Sequence, residues 1–488
     1  MVSSREVEER LDARGLEPRW TGAPPGAFRG FTDDSREVRE GDLFCAVRGL
    51  SVDGHRFLGE AREAGAAAAV VERAVADAGL PQVEVSDTRS AAAHLASLFH
   101  GDPSRAMRVV GITGTNGKTT TAWLLRHLLS ASGPAASLGT LGVVGPDGTR
   151  EAGALTTPGP VELAAALAGL RERGVARVAM EVSSHALDQR RADGVELAGL
   201  VLTNLSREHL DYHEDMEAYR DAKLRALELL RADGVCVLDA GEPAWEDAVP
   251  ADGPETVTFG LVDRADVRAE DLRETEGGSL WRLVTPEGDA EVRLPLPGDF
   301  NVRNALAAAA AATVEGVAVE EAARRLSGAP QVPGRMEVLR RRPSMVVRDY
   351  AHTPEALARV LRQLRPDGGR LLVVFGCGGD RDAGKRPLMG RAASEEADLA
   401  VVTTDNPRSE DPAAIARQVV EGMDPDDYEL VPDRRRAIAR ALELADPEDV
   451  VLLAGKGHED YQVFGDRKEP FDEARIVAEL TADGGGAP

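Results

Sequence analysis

The run GTNGKTT, Gly114 to Thr120, contains the residue types that grip and orient a triphosphate. Glycines let backbone amides curl around anionic oxygens, Lys118 adds a compact positive charge, and the Thr119 hydroxyl can reach a divalent cation. This chemistry needs a strand before the loop and a helix after it. Val109, Val110 and Ile112 provide a β-branched apolar strand, and the segment from Thr119 to Ser130 reads as an amphipathic helix. The strict pattern has glycine where this chain has Ile112, so the match is to a variant form. A nucleoside triphosphate site over Gly114, Thr115, Asn116, Gly117, Lys118, Thr119 and Thr120 is therefore predicted.

Two later strands deliver more polar groups. Val175 to Val182 runs into the cluster Glu181-Val-Ser-Ser-His185, and Gly199 to Thr203 runs into NLSREHLDYH. In a parallel sheet such clusters fall at the carboxyl edge, where ligands bind. Glu181 is placed to hold Mg²⁺ opposite Thr119, or it is a buried ion-paired carboxylate. His209, beside Asp211 and His213, is either a ligand of a second ion or structural. Lys223 lies on a helix among acids, a setting that suits exposed ion pairing. Lysine usage argues for more: of 58 basic residues only Lys118, Lys223, Lys385, Lys456 and Lys468 are lysine. A chain that otherwise uses arginine keeps lysine where a wide planar fork will not serve.

The last third carries DYAHTP, GCGGDRDAGKRP, DNPR and GKGHE, each after a β-rich stretch. The Gly376–Arg386 stretch is either a second anion-binding nest or a flexible connection. Arg386, Arg408 and Glu459 would then meet at one sheet edge. Two guanidinium groups and a carboxylate suit a zwitterionic amino acid.

These elements imply an α/β chain of three domains: residues 1–103 of mixed α/β character, 104–333 around the P-loop with a parallel sheet, and 334–488 as a Rossmann-like doubly wound domain. Short strands and Gly/Pro turns are expected between about 250 and 297, then a helix from GDFNVRN, and a linker at Pro333-Gly334. The last residues, ADGGGAP, read as disordered. Cys45, Cys236 and Cys377 are far apart, which indicates neither a disulfide framework nor a zinc site. A net charge of −25 excludes nonspecific nucleic-acid or anionic-membrane binding. No stretch approaches the roughly 18 apolar residues of a membrane span, and the N-terminal stretch MVSSREVEER is charged rather than apolar. A cytoplasmic, monomeric enzyme acting on small molecules is expected.

GTNGKTT, EVSSHALDQRR, TNLSREHLDYH, GRME and the four later motifs occur in an order that resembles the Mur ligase family, the ATP-dependent amino-acid ligases of peptidoglycan synthesis, over nearly the whole chain. The set is most similar to the member that adds 2,6-diaminopimelate. The resemblance implies that Asp33, Ser35, Leu50, Ser51 and Val52 hold the UDP end of the acceptor substrate. It assigns the muramoyl-peptide part to Thr156, Thr157, Ser183, Gln189 and Arg191, with Leu155 standing where some relatives have asparagine. Lys223 matches a carbamylated lysine, an amine turned by CO₂ into a carboxylate-like Mg²⁺ ligand alongside Thr119, Glu181 and His209. Asn301, Asn304, Arg335, Asp349 and His352 match positions around the nucleotide. Arg386, Asp405, Asn406, Pro407, Arg408, Gly455 and Glu459 would hold meso-diaminopimelate, whose second carboxylate lysine lacks.

The implied reaction transfers the ATP γ-phosphoryl to the D-glutamyl γ-carboxylate and lets the diamine attack the acyl phosphate. Lys118, Lys223, His209 and Arg335 are the expected catalytic residues. Alternatives are an L-lysine-adding ligase, a folylpolyglutamate synthetase-like enzyme, or a P-loop switch protein that forms no bond.

Overall fold

A computed structural model describes residues 1–49, 52–210, 212–250, 252–275 and 277–482. Leu50, Ser51, Asp211 and nearly all of the terminal ADGGGAP lie outside the described residues. The chain forms two compact units, residues 1–295 with 299–329, and 296–298 with 330–488.

The first unit contains two main sheets. A five-stranded sheet runs in the order Arg19–Thr21, Gln82–Glu84, Ala68–Val71, Leu43–Cys45, Phe31–Thr32, parallel except at its first strand. Helix Thr88–Phe99 lies against it, its N-terminus capped by the Asp87 carboxylate, and its Leu95 joins Val70 and Val83 in the core. The segment expected as a helix from His55 divides into a 3-10 turn, Gly54–Phe57, and the helix Leu58–Glu63.

The second sheet has eleven strands. Its centre is parallel: Ala135–Gly139, Arg177–Glu181, Arg108–Thr113, Leu197–Leu202 and Leu230–Asp239 lie side by side in that order. The registers pair Glu181 with Ile112 and Leu202 with Thr113, so three consecutive strands end level with one another. Everything that follows them emerges at one edge. Glu255–Gly260 and Val267–Thr275 continue the parallel order, and the sheet then turns antiparallel through Gly278–Thr285 and Gly288–Leu294, strands longer than the turn-rich composition suggested. Helix Asp299–Val314 follows, almost wholly enclosed from Ala305 to Ala312.

The second unit is built on a six-stranded sheet ordered Glu337–Arg340, Met345–Asp349, Val450–Ala454, Leu371–Phe375, Leu399–Val402, Tyr428–Leu430. All neighbours are parallel except the first pair. Leu372 and Val374 pack with Ile438, Ala441 and Val477, while Leu371, Val373 and Phe375 on the opposite face are equally buried. A strand covered on both faces explains its unbroken apolar run. Each such side chain contributes roughly 1.5–3 kcal/mol on burial.

Candidate functional site

The loop Gly114–Gly117 links strand Arg108–Thr113 to helix Lys118–Leu129. Gly117 has φ +86°, and a Cβ there would lie 2.2 Å from Asn304 Oδ1. Gly114 has φ +142°, and its Cβ would lie 1.9 Å from Thr203 Oγ1. Both positions therefore favour glycine for conformation, and Gly114 also for space, since its Cβ would meet the Asn204 backbone at 3.0 Å. The far side of the loop is tied down by its neighbours. Thr203 Oγ1 and Asn204 Nδ2 donate to the Asn116 carbonyl at 2.7 and 3.1 Å, and the Asn116 amide donates to Asn204 Oδ1 at 3.0 Å. Asn304 borders the loop at Gly117, and its Nδ2 faces Asn301 Oδ1 at 3.5 Å.

Lys118 Nζ donates to the Gly114 and Thr115 carbonyls at 2.8 and 2.7 Å. Lys223 Nζ donates to the same Gly114 carbonyl at 2.9 Å. Lys223 is 1% exposed, on helix Met216–Leu224, and its amine stands 4.1 Å from the Tyr219 ring centroid. Burial, then the nearby Lys118 charge, holds this amine well below the usual lysine range. The exposed ion-pairing role is thus ruled out for Lys223. Tyr219 is buried too, and desolvation pushes its phenol up to about 12.

Glu181 is buried and accepts three hydrogen bonds. Thr119 Oγ1 donates to Oε2 at 2.9 Å, Thr140 Oγ1 donates to Oε2 at 3.1 Å, and the Thr140 amide donates to Oε1 at 2.8 Å. No arginine or lysine salt bridge involves this carboxylate among the described residues. A hydroxyl and an unneutralised carboxylate converging at a phosphate loop fit a hard divalent cation such as Mg²⁺. His209 has φ +56°, a sparsely populated conformation for a non-glycine residue. Its ring packs edge-on to His185 at 4.8 Å and lies 6.1 Å from Tyr219, the ring that Lys223 also borders. His213 Nε2 lies 3.1 Å from Ser184 Oγ.

Thr157, Ser183, Gln189 and Arg191 form one network. Thr157 Oγ1 donates to the Glu181 carbonyl at 3.0 Å and accepts from the Ser183 amide at 3.0 Å. Arg191 Nη1 donates to the Thr157 carbonyl at 3.2 Å, and its Nε donates to Gln189 Oε1 at 3.1 Å. Thr156 Oγ1 meets Thr140 Oγ1 at 3.1 Å. Asp33 and Ser35 follow strand Phe31–Thr32, Val52 is exposed, and burial pushes the Asp33 carboxyl up.

In the second unit, four parallel strands present their polar ends at one edge. Asp349 accepts from the Met336 and Ala351 amides at 2.8 Å each, and burial pushes its carboxyl up against the pull of Arg335. The Arg335 guanidinium lies 4.9 Å from the Tyr350 ring centroid, and His352 is exposed with Nδ1 at 2.9 Å from the Tyr350 carbonyl. Arg408, at φ +51°, donates from Nη1 to the Gly379 carbonyl at 2.6 Å. Asn406 Nδ2 donates to Glu459 Oε2 at 2.8 Å, and Pro407 and Gly455 are buried alongside.

Arg386 is where the expectation needs correcting. Its side chain is 1% exposed and forms a two-pronged pair with Glu410 at 2.8 Å per bond, plus a 2.6 Å bond to Gln418 Oε1. That pairing holds the Glu410 carboxyl down at about 2. A guanidinium so committed braces the loop instead of offering itself to a ligand. The guanidinium the loop does expose is Arg381, in the same motif, which sequence reading passed over.

Comparison with known proteins fits this geometry. The Mur ligase middle domain matches residues 112–312, the glutamate ligase domain of Mur ligases matches 334–457, and the Mur ligase family catalytic domain matches 28–100. The chain belongs to the Mur ligase family. Among its relatives, the UDP-N-acetylmuramoyl-L-alanyl-D-glutamate–2,6-diaminopimelate ligase of Geobacter sulfurreducens is 43% identical, over 94% of this chain and 96% of that one. The ligase of the same name from Alkalilimnicola ehrlichii is 44% identical over 94% and 95%. A solved structure of a ligase so named has a TM-score of 0.68 at 33% identity, covering 96% of this chain and 97% of its own.

Proposed function

We propose that this chain is an ATP-dependent ligase that joins meso-2,6-diaminopimelate to the D-glutamyl γ-carboxylate of UDP-N-acetylmuramoyl-L-Ala-D-Glu, releasing ADP and phosphate. Support comes from near-full-length relatives of that name and, above all, from Lys223: a buried amine sharing one carbonyl with the phosphate-loop lysine. Both reactants of the first step are anions, so catalysis is chiefly positioning and charge neutralisation. Lys118 and the loop amides would hold the β- and γ-phosphates. Thr119 and Glu181 would hold Mg²⁺, which supplies charge neutralisation for the transferring phosphoryl group.

A lysine ammonium cannot react with CO₂; a neutral amine can. The surroundings that lower the proton affinity of Lys223 thus favour a carbamate, and carbamylated Lys223 with His209 would complete a second cation site. Thr156, Thr157, Ser183, Gln189 and Arg191 would hold the muramoyl-dipeptide; Asp33, Ser35 and Val52 would hold the UDP end. Asn301, Asn304, Arg335, Asp349 and His352 are the proposed nucleotide contacts. Arg408 and Arg381 would pair the distal carboxylate of diaminopimelate, and Glu459 its ammonium. L-lysine would leave those guanidinium groups unmatched, and a polar site lacking its partner rejects the analogue strongly. Turnover with diaminopimelate, L-lysine and L-glutamate in parallel tests this reading. Preference for L-lysine, or product from a folate acceptor, would contradict it.

A further inference from the structure

Lys456 is fully enclosed, yet no mechanistic role above uses it. Its ammonium lies 3.3 Å from Asp405 Oδ1, 3.1 Å from Asn406 Oδ1 and 3.3 Å from Glu459 Oε2. The Asn406 amide is fixed by this contact: Oδ1 takes Lys456 and the Val463 amide, so Nδ2 must turn to Glu459 Oε2. With Oε2 used twice, Glu459 keeps Oε1 without an intramolecular partner among the described residues. The charge count is equally constrained. Two carboxylates, 13% and 19% exposed, share one ammonium, which leaves a single surplus negative charge. Arginine would not substitute: its planar fork is too wide for a site with no solvent exposure and three oxygens around one nitrogen.

We propose that Lys456 is a positioning residue for the amino-acid substrate, aligning Asn406 and cancelling one of two carboxylates so that Asp405 and Glu459 together accept one substrate ammonium. This rests on reading DNPR and GKGHE as the diaminopimelate site. The full-length enzyme is assayed as wild type, Lys456→Met, Lys456→Gln and Lys456→Met/Asp405→Asn. In Lys456→Met the KM for diaminopimelate should rise about 30-fold or more, since a buried charge pair has lost one partner, while the KM for ATP stays within about twofold. Lys456→Gln keeps a donor toward Asn406 and should fall between wild type and Met.

Removing the surplus charge with Asp405→Asn in the Met background should recover at least about fivefold of the lost affinity. A purely structural lysine would shift the ATP and diaminopimelate constants together and gain nothing from the second substitution. An unchanged KM for diaminopimelate in both single variants, or no recovery in the double variant, overturns the inference. Wild-type enzyme that makes no product from diaminopimelate fails earlier and overturns the site reading itself.

Discussion

Replacing Glu181 by glutamine separates the cation site from the fold. The carboxylate accepts from the Thr140 amide at 2.8 Å and from the Thr119 and Thr140 hydroxyls at 2.9 and 3.1 Å. Glutamine keeps a carbonyl oxygen for the amide, and its NH₂ faces two hydroxyls that can rotate to accept. The hydrogen-bond count is preserved, and a buried charge is removed. Loss of charge-assisted bonding and relief of desolvation nearly cancel, so stability should change by no more than about 1 kcal/mol. Catalysis should respond very differently. A cation that neutralises the transferring phosphoryl group contributes several kcal/mol, and each 1.36 kcal/mol is about tenfold in rate. Losing this buried carboxylate should cost at least about 10²-fold in kcat/KM, partly recovered at high Mg²⁺. Phosphate release with acceptor and diaminopimelate at graded Mg²⁺, beside a thermal melt, measures both. Turnover within about threefold of wild type at low Mg²⁺ would refute the assignment of Glu181.

Other outcomes follow from the same geometry. Lys223→Ala should lose most activity and regain part of it with added short-chain carboxylates; wild-type enzyme in CO₂-depleted buffer should weaken and recover with bicarbonate, which product assays read directly. Arg381→Ala should raise the KM for diaminopimelate with an unchanged melting temperature, whereas Arg386→Ala should lower the melting temperature, because it strands Glu410. The pH dependence of stability should carry a signature of His94, whose buried imidazole is pushed down to about 3 by desolvation and by Arg14, Arg10 and Arg190. The unfolded chain binds a proton near pH 6.5 that the folded chain refuses, so this residue's contribution is intact above 6.5 and lost as pH falls toward 3. His94→Gln should flatten denaturant midpoints across that window.

The phosphate loop was legible because its chemistry is local: strand, glycines, lysine and helix are contiguous, and Gly114 and Gly117 adopt positive φ within it. Lys223 was legible for another reason. Lysine is scarce, so its rarity pointed to a buried, non-ion-pairing position that spacing alone did not mark. Arg386 misled because motif membership was read without helical phase. Arg386, Met389, Gly390 and Ala393 form one buried stripe of helix Lys385–Glu396, and that periodicity places the guanidinium inward. Arg381 lies before the helix, where no such constraint acts. The Lys456 network was not legible: Asp405, Asn406 and Glu459 were expected at one sheet edge, but that an enclosed lysine links them depends on side-chain packing that spacing does not encode. The strands after residue 255 were underestimated because Gly and Pro turns there bound long strands as readily as short ones.

The most direct test is the mass of the product formed when purified enzyme is given ATP, Mg²⁺, UDP-N-acetylmuramoyl-L-Ala-D-Glu and meso-diaminopimelate. A conjugate heavier than the acceptor by one diaminopimelate less one water, with one ADP released per conjugate, is the expected result. ADP released without any conjugate, or a conjugate formed only with another amino acid, would contradict the proposed reaction.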